Sequence, residues 1–311
     1  MTDSVIRIAT RSSSLAVWQA EYIQSLILQS SPDVRVEIVH VSTTGDQNQT
    51  DALRQFGGTG VFTREVQTSV LQRDTDIAVH SLKDLPTESA EGLMLGAVPE
   101  RAPRLDALLL PEGRPIATLA ELPQGARVGT GSPRRQAQLL HVRPDLQMLE
   151  IRGNVQTRLR KLDEGEFDAI ILAEAGLRRL ALPHRISLLL SPPLMFPAIG
   201  QGAIGVECRS DDAMVQEILA AITDSSVLSC VTAERSLLRA LRAGCHAPLG
   251  ATTDLDGESL ELNAVLLSPD GRQRLTARGS SQIDDASELG AAVARQLLKS
   301  GGESLVSGYS G

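Results

Sequence analysis

The chain has 311 residues, 42% of them hydrophobic, and a formal net charge of −8 at pH 7. A chain of this length predicts about two domains with a sizeable core. The acidic balance and the aromatic share of 2% argue against a surface for nucleic acid or acidic membranes, because such surfaces are basic and often stack bases on aromatic rings.

The N-terminus and the cysteines predict a cytoplasmic protein. Residues 1–4 lack the basic and apolar regions of a signal peptide, and no apolar run approaches the length of a membrane span. Cys208, Cys230 and Cys245 are odd in number and show no metal-ligand spacing. We therefore expect reduced thiols and no metal site.

The first predicted elements are a strand over 5–10 and a helix over 14–30. Ser13 stands at the helix start, where a serine normally caps free N–H groups. Arg11 beside the same N–H groups could instead make an anion site, and Gln19 could face the same cleft. The sequence leaves both interpretations open.

A strand over 34–41 leads into a long polar loop, and a helix over 63–72 follows. Loops of this length without secondary structure are often lids or are disordered. Because the loop contains several glycines, its 45–60 segment is predicted to be a mobile lid.

The stretch from Asp76 to Pro86 reads as a buried strand that ends in a polar turn. Ligands of α/β proteins bind where parallel strands end. Ser81, Lys83 and Asp84 therefore lie where chemistry is usually placed. The alternative is a strand end that carries a solvated ion pair.

A second unit repeats this plan. A strand over 126–129 is followed by a polar turn and by a helix with Pro133 at its first position, where a missing N–H costs nothing. The polar residues and arginines of this turn and helix start are Thr130, Ser132, Arg134 and Arg135. Further on, Asp168–Leu172 echoes Asp76–Val79. We therefore predict two similar α/β units that face each other across a cleft.

Other arginines of the second unit stand at or near predicted helix starts. Arg152 and Arg158 bracket the first turns of a helix that starts at Asn154, and Arg178–Arg179 follow a strand over 170–172. Each alone could be an ordinary solvated side chain. As a set they predict a ligand with many acid groups, because the guanidinium fork binds both oxygens of a carboxylate.

The chain then passes through a Pro/Gly-rich segment, 196–202, which we interpret as a hinge. A strand over 203–208 and a helix over 211–221 follow. The last third predicts a small α+β domain with an antiparallel sheet, because hairpin turns separate its strands. Its predicted helices and strands span 227–242, 249–253, 260–267, 272–278 and 283–299.

The predicted fold class is α/β, with two facing binding-protein-like domains joined by a hinge and a small C-terminal α+β domain. The first domain spans 1–100 and 201–222 and carries the lid. The second spans 105–196, and the third spans 223–311.

Cys245 lies in a loop just past a helix end, beside Gly244 and before Pro248. A lone cysteine is most often a small buried apolar residue. This position would instead expose the thiol, and a thiol can hold a covalent group. We interpret the neighbouring His246 as an ordinary loop residue.

The joint pattern resembles the porphobilinogen deaminase (hydroxymethylbilane synthase) family over nearly the whole chain. No single segment would carry the resemblance alone. The matching segments are Arg7–Arg11 with Ser13, Trp18–Ala20, Asp76–Pro86, Gly129–Thr130 with Ser132 and Arg134–Gln136, Arg152–Arg158, Asp168–Ala173, Gly200–Ala203, Val231–Arg235 and Gly244–Cys245 with Pro248.

The resemblance implies a monomeric transferase that joins four porphobilinogen molecules head to tail, with loss of ammonia, to give hydroxymethylbilane. It implies a dipyrromethane cofactor attached to Cys245 through a thioether and a catalytic carboxylate at Asp84. We expect this carboxylate to be buried and to stabilise the cationic azafulvene that deamination leaves.

Each porphobilinogen carries two carboxylates, so the growing chain accumulates negative charge that the arginines would balance. Besides Cys245, the residues carried over to the cofactor are Lys83, Ser13, Ser81, Thr130, Ser132, Arg134, Arg135 and Arg158. Those carried over to the substrate are Arg11, Gln19, Arg152, Arg179 and Gln201.

Two positions depart from the family pattern. Thr59 stands in the lid where a lysine is usual, and Pro133 replaces the usual leucine. The main alternative function is a solute-binding module for a small polyanion, which would leave Asp84 and Cys245 without roles. A regulatory effector-binding domain fits less well, because no basic patch would contact DNA.

Overall fold

The fold is described on a computed structural model of the chain. The described residues are 5–42, 63–112, 116–242 and 247–306. Some predictions lie outside them: the lid over 45–60 with Thr59, and the loop that holds Cys245 and His246.

The chain divides into two compact units. The first comprises Met1–Ala102 and Ala203–Leu228, and the second comprises Pro103–Gly202 and Ser229–Gly311. The further division of the second unit into a middle and a C-terminal domain stays a prediction.

Strands and helices alternate through most of the described chain. The strands are β1 Val5–Thr10, β2 Arg35–His40, β3 Ile77–Ser81, β4 Leu93–Ala97, β5 Asp106–Leu109, β6 Arg127–Gly129, β7 Gln147–Leu149, β8 Ala169–Ala173, β9 Leu188–Leu190, β10 Ile204–Arg209, β11 Leu249–Asp256, β12 Ser259–Leu267 and β13 Arg274–Gln282. The helices are α1 Ser14–Ser30, α2 Arg64–Leu71, α3 Pro133–Val142, α4 Val155–Asp163, α5 Glu174–Arg179, α6 Ala213–Ala220, α7 Ser225–Ala240, α8 Ala286–Leu297 and α9 Glu303–Val306.

The first unit is built on a five-stranded sheet in the order β2-β1-β3-β10-β4. The first three strands are parallel, and β10 is antiparallel to both of its neighbours. α1 packs on one face through Ala20, Ile23 and Ile27, whose spacing puts them on one side of the helix. α2 packs on the other face of the sheet. Its Val66 and Val70 cluster with the strand residues that point to that face.

The second unit contains a sheet with the same plan, in the order β7-β6-β8-β5-β9. Again the first three strands are parallel and the fourth is antiparallel to both neighbours. The prediction of two similar α/β units is confirmed. β9 was not predicted, because a three-residue apolar run gives no usable period.

A repeated ion pair shows how closely the two sheets correspond. In the first sheet, the backbone N–H of Arg7 donates to Asp76 Oδ2 at 2.9 Å, and the guanidinium donates to both carboxylate oxygens. In the second, Arg127 makes the same set of bonds with Asp168, with a backbone distance of 2.7 Å. Both aspartates directly precede a central strand, so the sequence echo reflects a shared structure.

The second unit also contains the antiparallel sheet β11-β12-β13. Gly257 and Gly271 occupy its turns with φ of +57° and +72°, a region that favours glycine. α8 covers the sheet through Leu289, Val293 and Leu297. The predicted fold class, two α/β units and a small antiparallel sheet, is confirmed.

No single helix among the described residues is long and apolar enough to cross a membrane. α6 and α7 satisfy the length and composition only as a pair that is sharply bent at the break between them.

Candidate functional site

The end of β3 carries the residues predicted to do chemistry. β3 is followed directly by a single 3₁₀ turn, Leu82–Asp84. Leu82 and Leu85 are buried and hold the turn against the unit, while Lys83 is half-buried and Asp84 is exposed. The expectation of a buried Asp84 is therefore wrong, because the flanking leucines take the interior positions.

Gln19 and Ser81 are brought together by α1 and β3. The Gln19 amide donates to Ser81 Oγ at 2.9 Å, and the buried position of Gln19 fixes this contact at the end of β3. Ser13 caps α1, since its hydroxyl accepts a hydrogen bond from Ala16 N at 3.4 Å. Arg11 follows the last residue of β1 and is half-buried.

A buried polar group that the sequence analysis missed supports β3 just before Ser81. His80 Nε2 lies 3.0 Å from Glu207 Oε2 on the neighbouring strand β10. Gln67 on α2 donates to both Glu207 oxygens at 3.1 and 2.9 Å. These contacts connect α2, β10 and β3, and His80 directly precedes Ser81 at the end of β3.

In the second unit, the start of α3 follows the predicted pattern. Pro133 occupies the first helical position and Ser132 the N-cap position. Within the described structure the Ser132 hydroxyl makes no capping bond, so Ser132 caps the helix by position only. The Thr130 hydroxyl instead accepts from Ser132 N at 3.1 Å, which shapes the turn ahead of the helix.

Arg134 and Arg135 are buried, with 4% and 6% of their surface exposed, and both bind Asp106, which is fully buried. Arg134 Nη1 donates to Asp106 Oδ2 at 2.7 Å. Arg135 Nε and Nη2 donate to Oδ1 at 2.9 and 2.7 Å. Sequence reasoning missed Asp106, and the available signal was a charged residue at the first position of an apolar strand.

Arg134, Arg135 and Asp106 form a buried group that we call the arginine cluster. Its charges do not balance, because two guanidinium groups face one carboxylate. Burial alone would raise the pKa of Asp106, but the two arginines outweigh it and hold the pKa well below its ordinary value. Burial lowers the pKa of Arg134, and Asp106 opposes that change. Asp106 therefore remains ionised, and the cluster keeps one excess positive charge.

Gln201 belongs to the same cluster. It is fully buried, and its amide donates to Asp106 Oδ1 at 3.0 Å and to the Arg104 carbonyl at 2.8 Å. The predicted substrate contact of Gln201 stays a prediction, but the structure gives its amide nitrogen internal partners.

The remaining arginines lie on separate elements of the second unit. Arg152 pairs with Glu150 at 2.5 Å, and Arg158 Nε donates to the Gly153 carbonyl at 2.8 Å. Arg179 donates to the Gly202 carbonyl at 2.8 Å.

Arg178 and Arg179 lie in the last turn of α5, so their expected position near a helix start is wrong. The reason is that α5 is only six residues long and begins directly at the end of β8.

The sequence matches known protein families over most of its length. A model of the porphobilinogen deaminase, dipyromethane cofactor binding domain matches residues 6–217, and a model of the porphobilinogen deaminase C-terminal domain matches residues 228–299. A curated porphobilinogen deaminase from Pelobacter propionicus is 44% identical over 301 residues, which cover 97% of this chain and 96% of that protein.

Solved structures also match at low identity. The methionine binding protein MetQ is 14% identical with a TM-score of 0.44, covering 70% of this chain and 89% of that one. The periplasmic VFT2 domain of BvgS from Bordetella pertussis is 14% identical with a TM-score of 0.42, covering 70% and 86%. At these TM-scores neither match bears on the function of the chain.

Proposed function

The chain belongs to the porphobilinogen deaminase family, and from that premise we propose which of its residues bind and act. The enzyme joins porphobilinogen molecules head to tail with loss of ammonia and gives hydroxymethylbilane. The family match decides against the alternative of a solute-binding module. The dipyrromethane cofactor, when bound, supplies the primer on which the product is built.

We propose Asp84 as the catalytic carboxylate. Its exposed position on a turn held by two buried leucines supports this role, because the acid is accessible and its backbone is anchored on both sides. A carboxylate there would stabilise the cation that loss of ammonia leaves on the substrate. It would also accept or return a proton at the pyrrole nitrogen.

The arginine cluster would bind the acid groups of the cofactor. The observation that supports the fit is the Nε atom of Arg134, which is buried and has no hydrogen-bond partner among the described residues. An unpaired buried donor is costly, and an incoming carboxylate would satisfy it. The excess positive charge of the cluster favours the same kind of ligand.

Further residues complete the proposed binding set. Hydroxyl and cationic side chains suit ligand carboxylates as hydrogen-bond donors. For the cofactor they are Lys83, Ser13, Ser81, Thr130, Ser132, Arg135 and Arg158, and for the substrate Arg11, Gln19, Arg152, Arg179 and Gln201.

Cys245, which lies outside the described residues, is proposed as the attachment point. Cys208 is a poor candidate, because it is buried in β10 and burial raises the pKa of its thiol to about 11. The test is the intact mass of Cys245→Ala. We expect this variant to lack the mass of two linked pyrrole units, and the matched Cys230→Ala variant to keep it. An unchanged adduct on Cys245→Ala would overturn the assignment.

We also propose that the enzyme is a cytoplasmic monomer that binds neither nucleic acid nor membranes. The net charge of −8 supports the absence of a nucleic-acid surface. The three cysteines, which cannot all pair within one chain, fit a reducing compartment. Light scattering after size-exclusion chromatography tests the monomer, for which the mass expected from the sequence is 33.2 kDa.

A further inference from the structure

Asp106 makes more side-chain contacts with the arginine cluster than a simple ion pair requires. Its Oδ1 accepts from Arg135 Nε, Arg135 Nη2 and the Gln201 amide, at 2.9, 2.7 and 3.0 Å. Its Oδ2 accepts from Arg134 Nη1 at 2.7 Å. The two oxygens therefore hold different arginines, so each arginine depends on its own half of the carboxylate.

The remaining bonds fix which parts of the two guanidinium groups are used internally. Arg135 Nη1 donates to the Ile171 carbonyl at 3.0 Å, so all three of its nitrogens are bonded within the second unit. Arg134 Nη1 also donates to the Phe196 carbonyl. This leaves the Nε side of Arg134 turned away from Asp106, with its buried N–H unsatisfied among the described residues.

The segment that supplies the Phe196 carbonyl is itself held firmly. Phe196 N donates to Gln138 Oε1 at 2.7 Å, and the Gln138 amide donates back to the Phe196 carbonyl at 3.1 Å. Further along, Gly200 N donates to the buried Glu234 at 2.7 Å. Gln201 lies in the same segment and donates to Asp106. The two oxygen acceptors of Arg134, the Phe196 carbonyl and Asp106, are therefore connected through this segment.

We propose that Asp106 is a positioning residue, which together with Gln201 orients Arg134 so that its Nε side meets a carboxylate of the dipyrromethane cofactor. This rests on the proposed function, because it takes Arg134 as a ligand contact. Asp106 itself does not touch the ligand. Asp106 binds Nη1 of Arg134 and leaves the Nε side of the guanidinium group to bind the ligand. Planar guanidinium groups bind carboxylates with high geometric specificity.

Asp106→Asn tests this with little change in volume. The three donors at Oδ1 would hold the amide oxygen of the new side chain on that side. Its NH₂ group would then face Arg134 Nη1, donor against donor, at a site where Asp106 Oδ2 lies 2.7 Å away. The substitution therefore disturbs Arg134 while it keeps the bonds of Arg135 and Gln201.

The experiment is a double-mutant cycle of Asp106→Asn and Arg134→Met on the full-length enzyme. The readouts are the fraction of purified protein that carries the cofactor mass, the turnover of porphobilinogen and the melting temperature. We expect each single variant to lower the product of cofactor fraction and turnover by at least about tenfold. The double variant should equal Arg134→Met within about twofold, because Asp106 acts through Arg134.

A purely structural Asp106 would give a different result. Its effect would multiply with that of Arg134→Met in the double variant, and this outcome would overturn the proposal. Asp168→Asn is the matched control: it removes an ion pair of the same unit, and its effect should combine with Arg134→Met as independent factors.

If Asp106→Asn does not fold, Gln201→Met takes its place in the cycle. It removes the bonds from the Gln201 amide to Asp106 and to the Arg104 carbonyl at similar volume. Because Gln201 is also a proposed substrate contact, the readout here is the fraction of protein that carries the cofactor mass, for which we expect a loss of about threefold that disappears in the Arg134→Met background. A loss of cofactor fraction that persists there would overturn the proposal. If Arg134→Met loads cofactor and turns over normally, the proposed role of Arg134 as a cofactor contact is wrong. If only Asp106→Asn behaves normally, the role of Arg134 stands and the positioning role of Asp106 is wrong.

Discussion

In the first unit, β3 ends in a turn that leaves Asp84 exposed, whereas in the second unit Asp106 begins β5 and is fully buried beneath α3. The two sheets share strand order and direction, and both place an arginine–aspartate pair ahead of a central strand. The shared strand order and direction therefore do not determine whether an acidic side chain is exposed or buried.

The difference comes from the side chains that surround each carboxylate. Asp84 lies between two buried leucines that leave no interior place for it. Asp106 is surrounded by donors from α3 and from the 196–202 segment, which compensate for its burial. The carboxylate that we propose meets a transient cation is accessible, and the one that we propose orients arginines is enclosed by them.

The largest effect should follow from removing the exposed acid. Asp84→Asn should lower turnover by at least about 100-fold, because a positioned carboxylate typically contributes 10² or more. The melting temperature should stay near the wild-type value, since exposed substitutions seldom alter stability. Steady-state product formation measures the first effect, and Glu88→Gln, another exposed acid shortly after the turn, is the control. Near-normal turnover would remove Asp84 from the chemistry.

The second prediction concerns the support of α3, the helix that carries the arginines. A Cβ on Gly271 would lie 2.5 Å from the Ala137 carbonyl and 2.6 Å from His141 N, and its φ is +72°. Gly271→Ala should therefore lower the free energy of unfolding by about 2–3 kcal/mol. Gly257→Ala, with φ of +57° and no atom within 4 Å of its Cβ, should cost only about 1 kcal/mol. Urea unfolding compares the two, and equal losses would mean that the α3 contact contributes nothing.

The repeated ion pair offers a test by pH. Burial would raise the pKa of Asp76, but its hydrogen bonds from Arg7 outweigh this and lower the pKa. Because the folded pKa lies below the unfolded one, the ionised group stabilises the fold above about pH 4, and this contribution is lost as the pH falls. Asp76→Asn should cost about 2 kcal/mol at pH 7, and the gap to wild type should narrow below about pH 4.

Asp168→Asn is the natural comparison for Asp76→Asn. Its side chain is 31% exposed against 11% for Asp76, which also receives a hydrogen bond from Arg209. The Asp168 variant should therefore lose less stability at pH 7 in the same urea titration. A gap between Asp76→Asn and wild type that stays constant with pH would contradict the account of Asp76.

The smallest effect concerns the contact between α1 and β3. Gln19→Met removes the hydrogen bond to Ser81 and should lower turnover about three- to tenfold, the range of one ordinary hydrogen bond. Gln24→Met on the same helix removes a bond to the Val36 carbonyl and should leave turnover unchanged. If both variants behave alike in initial-rate measurements, the Gln19–Ser81 contact has no specific part in the reaction.

Local patterns predicted much of this fold. The bounds of α1 agree with the structure at both ends, because a capping serine and Pro32 mark them. The similarity of the two units was visible in Asp76 and Asp168, since the paired arginine requires the same residue at the same strand position.

The buried cluster could not be predicted in the same way. Asp106 lies 28 residues before Arg134, and nothing local indicates that tertiary packing brings them to 2.7 Å. The exposure of Asp84 was also misjudged, because it depends on which faces Leu82 and Leu85 occupy in the folded unit. Long-range packing decided both features.

The most direct test of this division of roles is the intact mass of two variants after brief exposure to porphobilinogen. Asp84→Asn should carry the cofactor mass and gain no further substrate units, whereas Arg134→Met should largely lack the cofactor mass. Addition of substrate units to Asp84→Asn at the wild-type rate, or a normal cofactor content in Arg134→Met, would contradict the account.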